Sequence, residues 1–321
     1  NGDVVTVADV DTGAPLFTVG AGQMWVRDVA YSPDGQWIAT GGGDATVRIW
    51  RADDGRQQFT LAGHTGAVHG VDWSPDGSRL ASVSDDSTAR VAEVSDGGAR
   101  ERLTLSAQDT GNGLQSVAFS PDGGRMVTGD FGLAAALTWD VSATGGAEWG
   151  SVQGLPVAPG GRGSLSFTDD GDGISVATGG GTVTAFDIVT GERRWAVGPA
   201  DGAALERFAV SPDETVVATS SDQIPVDLWD VATGEHLLAL RPEAGNYVTD
   251  LDWSPDGELL AIVLADDVGG SIVVVDRSGA VRAELREEPE VYIQSVSFNP
   301  AGDRLATTRD PYRDDPSKRG V

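Results

Sequence analysis

The sequence predicts an all-β protein built from seven copies of one unit. A four-residue turn motif, Ser-Pro-Asp-Gly or a variant of it, recurs at intervals of 42 to 48 residues. The copies begin at Ser32, Ser74, Ser120, Thr168, Ser211, Ser254 and Asn299. A unit of this length cannot bury its own apolar face, so repeats with this period stack into propellers or solenoids. The period alone therefore limits the architecture to a repeat fold.

Each turn motif joins two predicted strands. Proline favours the second position of a type I turn, and glycine at the fourth position accepts the left-handed backbone that closes the hairpin. An apolar strand precedes the turn, as at Val26–Tyr31. A strand of small residues follows it, as at Ile38–Thr40, and then an alternating strand, as at Val226–Asp230. A turn such as Thr190-Gly191 leads into a fourth strand. Four short strands per unit make one blade of a β-propeller.

The two ends of the chain hold complementary halves of one unit. Residues 3–10 and 14–20 read as a third and a fourth strand, whereas residues 291–298 and 303–308 read as a first and a second. Sheet edges need partners. We therefore expect a seven-bladed β-propeller of four-stranded antiparallel blades, with the last blade closed by two strands from each terminus. The propeller would span residues 1–310, and residues 311–321 would form a polar tail or linker.

The chain is strongly acidic, with 49 acidic and 22 basic residues and a formal net charge of −27. Such a surface repels nucleic acids and anionic membranes, and it favours a neutral or basic protein or peptide partner. No apolar run reaches the roughly 18 residues of a membrane span, and no signal or transit segment is recognisable. Cysteine is absent, which excludes disulfides and thiolate chemistry. Lys318 is the single lysine, a bias typical of bacterial genes rich in G and C. We expect a monomeric, cytoplasmic domain of a larger bacterial protein.

Two short signatures recur at fixed places in the units. Trp-Asp stands at Trp139 and Trp229, Gly-His stands at Gly63, and Asp44 and Asp86 each lie six residues before the tryptophan position. These residues resemble the WD-repeat family of β-propellers, and the resemblance covers roughly residues 3 to 308. It implies a hydrogen-bond network of His, Ser or Thr, Asp and Trp within each blade. Because no copy holds all four residues, we expect this network to be partial or absent.

Signatures of catalysis are sparse. The histidines are His64, His69 and His236. The nucleophile-elbow, zinc-protease and P-loop motifs do not occur. A metal-dependent, lactonase-like propeller gathers carboxylates around its axial channel, and here only Asp28, Glu206 and Asp250 fall near that position. The Asp- and Gly-rich residues 169–173 match the hairpin turn of the other copies and lack the terminal acid of a calcium loop. We expect no catalytic residue, metal or cofactor.

Three aromatic residues stand directly before the first strand of their units. They are Trp25, Tyr247 and Tyr292. The resemblance places these positions at the rim of the channel on the narrower face of the propeller, and units one, six and seven are neighbours once the ring closes. With the polar residues beside them, the aromatics form the predicted partner-binding site. Its polar members are Arg27, Thr249 and Gln294. The alternative is that the rings pack beneath adjacent loops.

The sequence thus favours a non-catalytic scaffold or sensor module of a larger bacterial signalling protein, which binds a protein or peptide at the channel mouth. The first alternative is a metal-dependent, lactonase-like enzyme acting at the central channel. The second is a structural spacer that binds nothing. The Gly-rich residues 142–164 are either a functional loop or a unit that has drifted from the repeat.

Overall fold

Seven antiparallel sheets follow one another around an axial channel in the computed structural model. It describes residues 3–107, 113–130, 136–142, 165–178, 181–199, 205–221, 226–241, 247–265, 269–286 and 292–310. The innermost strands of successive blades contact one another and surround the channel. The predicted seven-bladed β-propeller is therefore confirmed. The Gly-rich stretch 142–164 lies outside the described residues except for Ser142, as does the tail 311–321.

Within each of blades 1 to 6 the strands run in chain order from the channel to the rim, and each strand pairs with the next. Blade 1 contains β3 (Val26–Tyr31), β4 (Trp37–Gly42), β5 (Thr46–Arg51) and β6 (Gln57–Ala62). Blade 2 contains β7 (Val68–Trp73), β8 (Arg79–Ser84), β9 (Thr88–Ser95) and β10 (Gly98–Ser106). The described part of blade 3 contains β11 (Leu114–Phe119), β12 (Arg125–Asp130) and β13 (Leu137–Asp140).

Blades 4 to 6 repeat the arrangement. Blade 4 contains β14 (Leu165–Phe167), β15 (Gly173–Thr178), β16 (Thr182–Asp187) and β17 (Arg193–Val197). Blade 5 contains β18 (Leu205–Val210), β19 (Val216–Ser221), β20 (Val226–Asp230) and β21 (His236–Leu240). Blade 6 contains β22 (Tyr247–Trp253), β23 (Leu259–Ala265), β24 (Gly270–Asp276) and β25 (Val281–Arg286).

Blade 7 joins the two ends of the chain. Its sheet order is β2-β1-β27-β26, where the strands are β1 (Val4–Asp9), β2 (Pro15–Gly20), β26 (Tyr292–Phe298) and β27 (Arg304–Asp310). The joint is the antiparallel pair β1–β27, which aligns Val4 with Arg309 and Val7 with Ala306. Each half supplies the partner that the other half lacks, so the sheet is continuous across the termini. The predicted closure by two strands from each end is confirmed.

The core lies between the blades. Among the described residues, seven apolar clusters occur, one at each joint between adjacent blades. At the joint of blades 6 and 7, for example, Val263 and Ile272 pack with Ile293 and Phe298. The second strand of each blade has neighbouring sheets on both sides, and in β4 all six residues are buried. Burial of apolar area at the joints stabilises the ring as a whole.

The Ser-Pro-Asp-Gly turns interlock on one face of the ring, which we call the turn face. Each turn's proline lies beside the glycine of the next turn: a methyl group added at Gly257 would lie 3.4 Å from Cδ of Pro212. The joint of blades 4 and 5 departs from this pattern because Asp169 replaces proline and Glu214 replaces glycine. Glu214 keeps the left-handed backbone, with φ at +52°, and its side chain accepts a hydrogen bond of 2.6 Å from the backbone N–H of Asp169.

The Asp- and Gly-rich residues 169–173 form the hairpin turn between β14 and β15. Gly171 N–H donates to the carbonyl oxygen of Thr168 at 2.8 Å, as in the other turns. The carboxylate of Asp170 accepts bonds from the Thr168 hydroxyl and from the Arg194 guanidinium. This carboxylate is thus hydrogen-bonded within the turn and to Arg194 of strand β17.

Candidate functional site

The second face of the ring, which we call the mouth face, is where the seven inner strands begin. In an antiparallel blade the connection into the first strand and the connection between the second and third strands lie at the same end. Residues 21–25 therefore lie beside residues 43–45 of the same blade, and Gly43 N–H donates to the carbonyl oxygen of Trp25 at 3.1 Å. All six residues of the predicted partner site stand at or near this end of their strands.

An open cavity of about 680 Å³ occupies the axis of the ring. Every one of the seven inner strands contributes to its wall, so it is the axial channel. Its ionisable lining residues are Arg27, Asp28, His69, Asp85, Arg207 and Asp250. Thr249 and Gln294 of the predicted site also line it, whereas Trp25, Tyr247 and Tyr292 do not. Of the three acids predicted to lie near the channel, Glu206 is not part of the lining.

The two inner-strand aspartates of the channel wall are committed to the neighbouring blades. Asp28 accepts hydrogen bonds from Val71 N–H of blade 2 at 2.8 Å and from the Ser295 hydroxyl of blade 7 at 2.9 Å. Asp250 accepts one from Val296 N–H of blade 7 at 2.9 Å. Burial raises the pKa of Asp28 to about 6 and also raises that of Asp250. These carboxylates connect blades rather than point into the channel as a free pair.

The remaining charged groups of the channel also have partners, with one exception. His69 Nε2 lies 2.8 Å from Asp85 Oδ1, and burial lowers the pKa of His69, so the ring is neutral near pH 7. Gln115 Nε2 donates to the same Asp85 oxygen at 3.4 Å. Arg207 Nε donates to the Thr249 carbonyl oxygen at 2.6 Å. Arg27, which is exposed, is the exception: among the described residues it has no hydrogen-bond or ion-pair partner.

Trp25 is the exposed aromatic residue of the mouth face. Its side chain is 47% exposed, and its backbone is left-handed, with φ at +50°. Such a conformation costs a bulky residue free energy, and residues that retain it cluster at binding and active sites. Gly43 makes the conformation possible, because a methyl group there would lie 2.8 Å from the Met24 carbonyl oxygen and 3.0 Å from Trp25 Cε3. Met24, next to it, is also exposed.

The other predicted aromatics differ in exposure. Tyr247 begins β22 and is half-buried, whereas Tyr292 begins β26 and is only 4% exposed. Tyr292 therefore corresponds to the alternative interpretation, a ring packed within the fold. The hydroxyl of Thr249 donates to the Ile293 carbonyl oxygen at 3.0 Å, while Gln294 is half-buried in the channel wall. Trp25 and Arg27 are the two exposed residues of the predicted site, and they lie two positions apart at the start of β3.

Sequence reasoning missed several of the residues around the channel. His69 and Gln115 occupy the same place in their strands as Arg27, second from the start, so comparison of the repeats could have identified them. Asp85 lies in the connection between β8 and β9, and nothing in its local sequence marks it as a channel residue. Met24 was missed because it lies one residue further from β3 than the aromatic position.

The hydrogen-bond network implied by the resemblance is present in part. In blade 2, His64 Nε2 bonds with the Ser82 hydroxyl at 2.9 Å and His64 Nδ1 lies 3.0 Å from Asp86, but Ala92 stands at the tryptophan position. Burial lowers the pKa of His64, which keeps the ring neutral. In blades 3 and 5 the pair of tryptophan and threonine remains: Trp139 and Trp229 donate to Thr128 and Thr219 at 2.9 Å.

Blade 1 completes the network with glutamine in place of histidine. Trp50 Nε1 donates to the Thr40 hydroxyl at 3.0 Å, and this hydroxyl donates to Gln23 Oε1 at 2.7 Å. Gln23 Nε2 then donates to the carbonyl oxygen of Thr46, whose hydroxyl donates to Asp44 at 2.7 Å. A primary amide offers one acceptor and two donors, so it can replace the neutral imidazole in this position.

Comparison with known proteins agrees with this geometry. Residues 13–51 and 55–92 match the family model described as "WD domain, G-beta repeat". Each matched stretch contains the outer strand of one blade and the three inner strands of the next, so the sequence repeat and the blade are offset by one strand. Protein HIR1 of Gibberella zeae is 37% identical over 60 residues, which are 19% of this chain and 5% of that protein. The chain thus covers a small fraction of this relative's length.

The fold and the channel define a seven-bladed β-propeller. Residues 13–51 and 55–92 of this propeller match WD40 repeats, and propellers built from such repeats generally act as non-catalytic scaffolds that bind other proteins. Within the described part of the chain, no group of three or more His, Asp, Glu or Cys side chains is placed to hold a metal ion. No helix in the ranges given above is long and apolar enough to cross a membrane.

Proposed function

We propose that this propeller is a non-catalytic scaffold or sensor module of a larger bacterial signalling protein, and that it binds a protein or peptide on the mouth face. The observation that carries the proposal is Trp25. An indole that is half in solvent, on a left-handed backbone, is costly for a module with no ligand. Large aromatic side chains beside a polar cavity are the usual anchors of protein interfaces.

The channel wall supports binding rather than catalysis. Enzymes that act at an axial channel need carboxylates free to hold a metal ion or to exchange protons. Here Asp28 and Asp250 each accept hydrogen bonds from a neighbouring blade, so both carboxylates already have a structural role. The lactonase-like alternative therefore has no observation in its favour within the described residues.

The binding site of the proposal comprises Trp25, Arg27, Tyr247, Thr249 and Gln294, with Tyr292 as a buried support. A test captures partners from a lysate of the source organism with the wild-type propeller and with two variants. Trp25→Ala removes the anchor, whereas Val189→Ala truncates an apolar side chain that is 79% exposed on the β16–β17 connection, away from the mouth face. We keep Tyr292 intact because truncating a buried ring would disturb blade 7.

We expect a protein captured by the wild type and by Val189→Ala to be lost from Trp25→Ala. The captured protein is then purified, and its affinity for each folded variant is measured. A loss of about tenfold or more for Trp25→Ala fits an interface anchor. Equal affinity of all three propellers would place the interface elsewhere and overturn the proposal.

A further inference from the structure

The guanidinium of Arg27 is the unassigned group of the mouth face. Arg27 is the second residue of β3, lines the channel and is exposed. No described residue forms a hydrogen bond or an ion pair with it. Arginine carries five N–H donors in a planar fork and stays charged at every physiological pH. Its donors are therefore available for a ligand.

The neighbouring acids do not use these donors. Asp28, the next residue, is held by Val71 N–H, Val29 N–H and the Ser295 hydroxyl. Asp85, on the β8–β9 connection, is held by His69 and Gln115. The second arginine of the channel, Arg207, donates to backbone carbonyl oxygens of Thr249 and Glu206. Arg27 thus differs from every other charged group of the described channel wall because its side chain has no hydrogen-bond partner there.

We propose that Arg27 binds a carboxylate side chain of a partner peptide, while an apolar residue of the same peptide packs on Trp25. A carboxylate offers two oxygens that match the guanidinium fork, and such charge-assisted pairs are about twice as strong as neutral hydrogen bonds. Trp25 lies two residues before Arg27 and is itself exposed, so one short peptide reaches both. The inference rests on the proposed function and specifies its ligand.

This ligand differs from the one that the composition of the chain suggests. A net charge of −27 favours a basic partner at long range, whereas the local donors at the channel mouth select an acidic group at contact distance. The two expectations give opposite peptide preferences, so a selection experiment separates them.

The test pans a random peptide library on the wild-type propeller and on Arg27→Gln. Arg100→Gln serves as the matched control, because Arg100 is exposed on the outer strand β10. Arg27 has no described partner, so Arg27→Gln should fold and melt as the wild type does. We expect peptides selected by the wild type to carry Asp or Glu beside an apolar residue, and Arg27→Gln to lose the acidic preference.

Binding of one selected peptide is then measured directly. Arg27→Gln should weaken it by about tenfold to a hundredfold, and Arg100→Gln should leave it within about twofold. Replacing the peptide's Glu with Gln should cost the same factor with the wild type and nothing further with Arg27→Gln. Peptides rich in Lys or Arg, or equal binding to Arg27→Gln, would overturn the inference and leave the proposed function standing. Equal binding to Trp25→Ala, or no selected peptide, would overturn both.

Discussion

The carboxylate of Asp252 in blade 6 accepts a hydrogen bond of 2.7 Å from Phe298 N–H in blade 7. Asp72 accepts the same bond, also of 2.7 Å, from Phe119 N–H across the joint of blades 2 and 3. Both aspartates precede the tryptophan that ends their inner strand. Burial raises the pKa of each to about 7. Two blade joints are therefore bridged by carboxylates whose ionisation the fold disfavours.

We expect the melting temperature to rise as the pH falls from 8 to 5. The folded-state pKa of Asp72 and Asp252 lies above the value near 4 of an unfolded aspartate, so the folded state binds more protons in this interval. Their contribution to stability is full below about pH 4 and is lost as the pH rises through about 7. Thermal denaturation should show a rise on the order of 5 °C. A flat or opposite pH dependence would contradict the proposed role of these carboxylates.

The stability that the protein loses in acid does not cancel this trend between pH 8 and pH 5. The pKa of Asp276 is held at about 2 by hydrogen bonds from Ser278 and Ala280 N–H, and the pKa of Asp76 at about 2 by bonds from Ser74 and Ser78. The stability that these groups contribute is present above about pH 4 and is lost as the pH falls towards 2. We expect the stability maximum to lie near pH 4 to 5.

Asp252→Asn isolates the bridging carboxylate from the general effect of net charge. Asparagine keeps an oxygen that accepts from Phe298 N–H and cannot ionise, so the dependence of melting temperature on pH between 5 and 8 should become shallower. Asp96→Asn removes one charge from the exposed β9–β10 turn and should keep the wild-type slope. If both variants give the same slope, net charge rather than the buried bridge causes the pH dependence.

Glu214→Gly should stabilise the propeller by about 1 kcal/mol. The substitution relieves a left-handed backbone at a residue with a side chain and restores the glycine found in each of the six other turns. Burial raises the pKa of Glu214, so removing the ionised side chain at pH 7 acts in the same direction. Urea denaturation measures the change. Glu258→Gly, one position after the turn glycine of blade 6, is the control and should destabilise the propeller. If Glu214→Gly also destabilises it, the hydrogen bond from Asp169 N–H to Glu214 outweighs the backbone strain.

His64→Ala should lower the free energy of unfolding by about 2 kcal/mol, because it leaves the buried Ser82 hydroxyl and Asp86 without their shared partner. Blade 1 performs the same task with Gln23. We therefore expect His64→Gln to recover a substantial part of the loss. Chemical denaturation of the wild type and the two variants measures the free energy of unfolding. Equal losses for His64→Ala and His64→Gln would refute the equivalence of the two networks.

Deleting residues 1–20 removes β1 and β2 and should destabilise all seven blades together. Without β1, strand β27 loses the partner that joins it to the amino-terminal half of blade 7, and the cluster between blades 7 and 1 loses Val5 and Val7. A single thermal transition at a lower melting temperature would match this expectation. A deletion variant that melts like the full chain would mean that closure contributes little stability.

The period and the turn chemistry were sufficient to predict the ring, because a turn motif and its flanking strands are encoded locally. Closure followed from counting strands at the two ends. The exposure of individual side chains was not encoded in this way: Trp25 and Tyr292 occupy equivalent positions, yet one is exposed and the other buried. The left-handed backbone of Trp25 depends on Gly43, which belongs to a separate connection. Gln23 was missed because it lies three residues before its strand, whereas His64 lies four before its own.

Hydrogen–deuterium exchange of the propeller with and without its bound partner tests the location of the binding surface most directly. We predict slower exchange of the amides in residues 22–27, 43–45 and 247–249, all at the mouth face, and unchanged exchange in the turns at 33–35 and 255–257 on the turn face. Protection confined to the turn face or to the outer strands, with the mouth-face amides unchanged, would contradict the proposed binding surface.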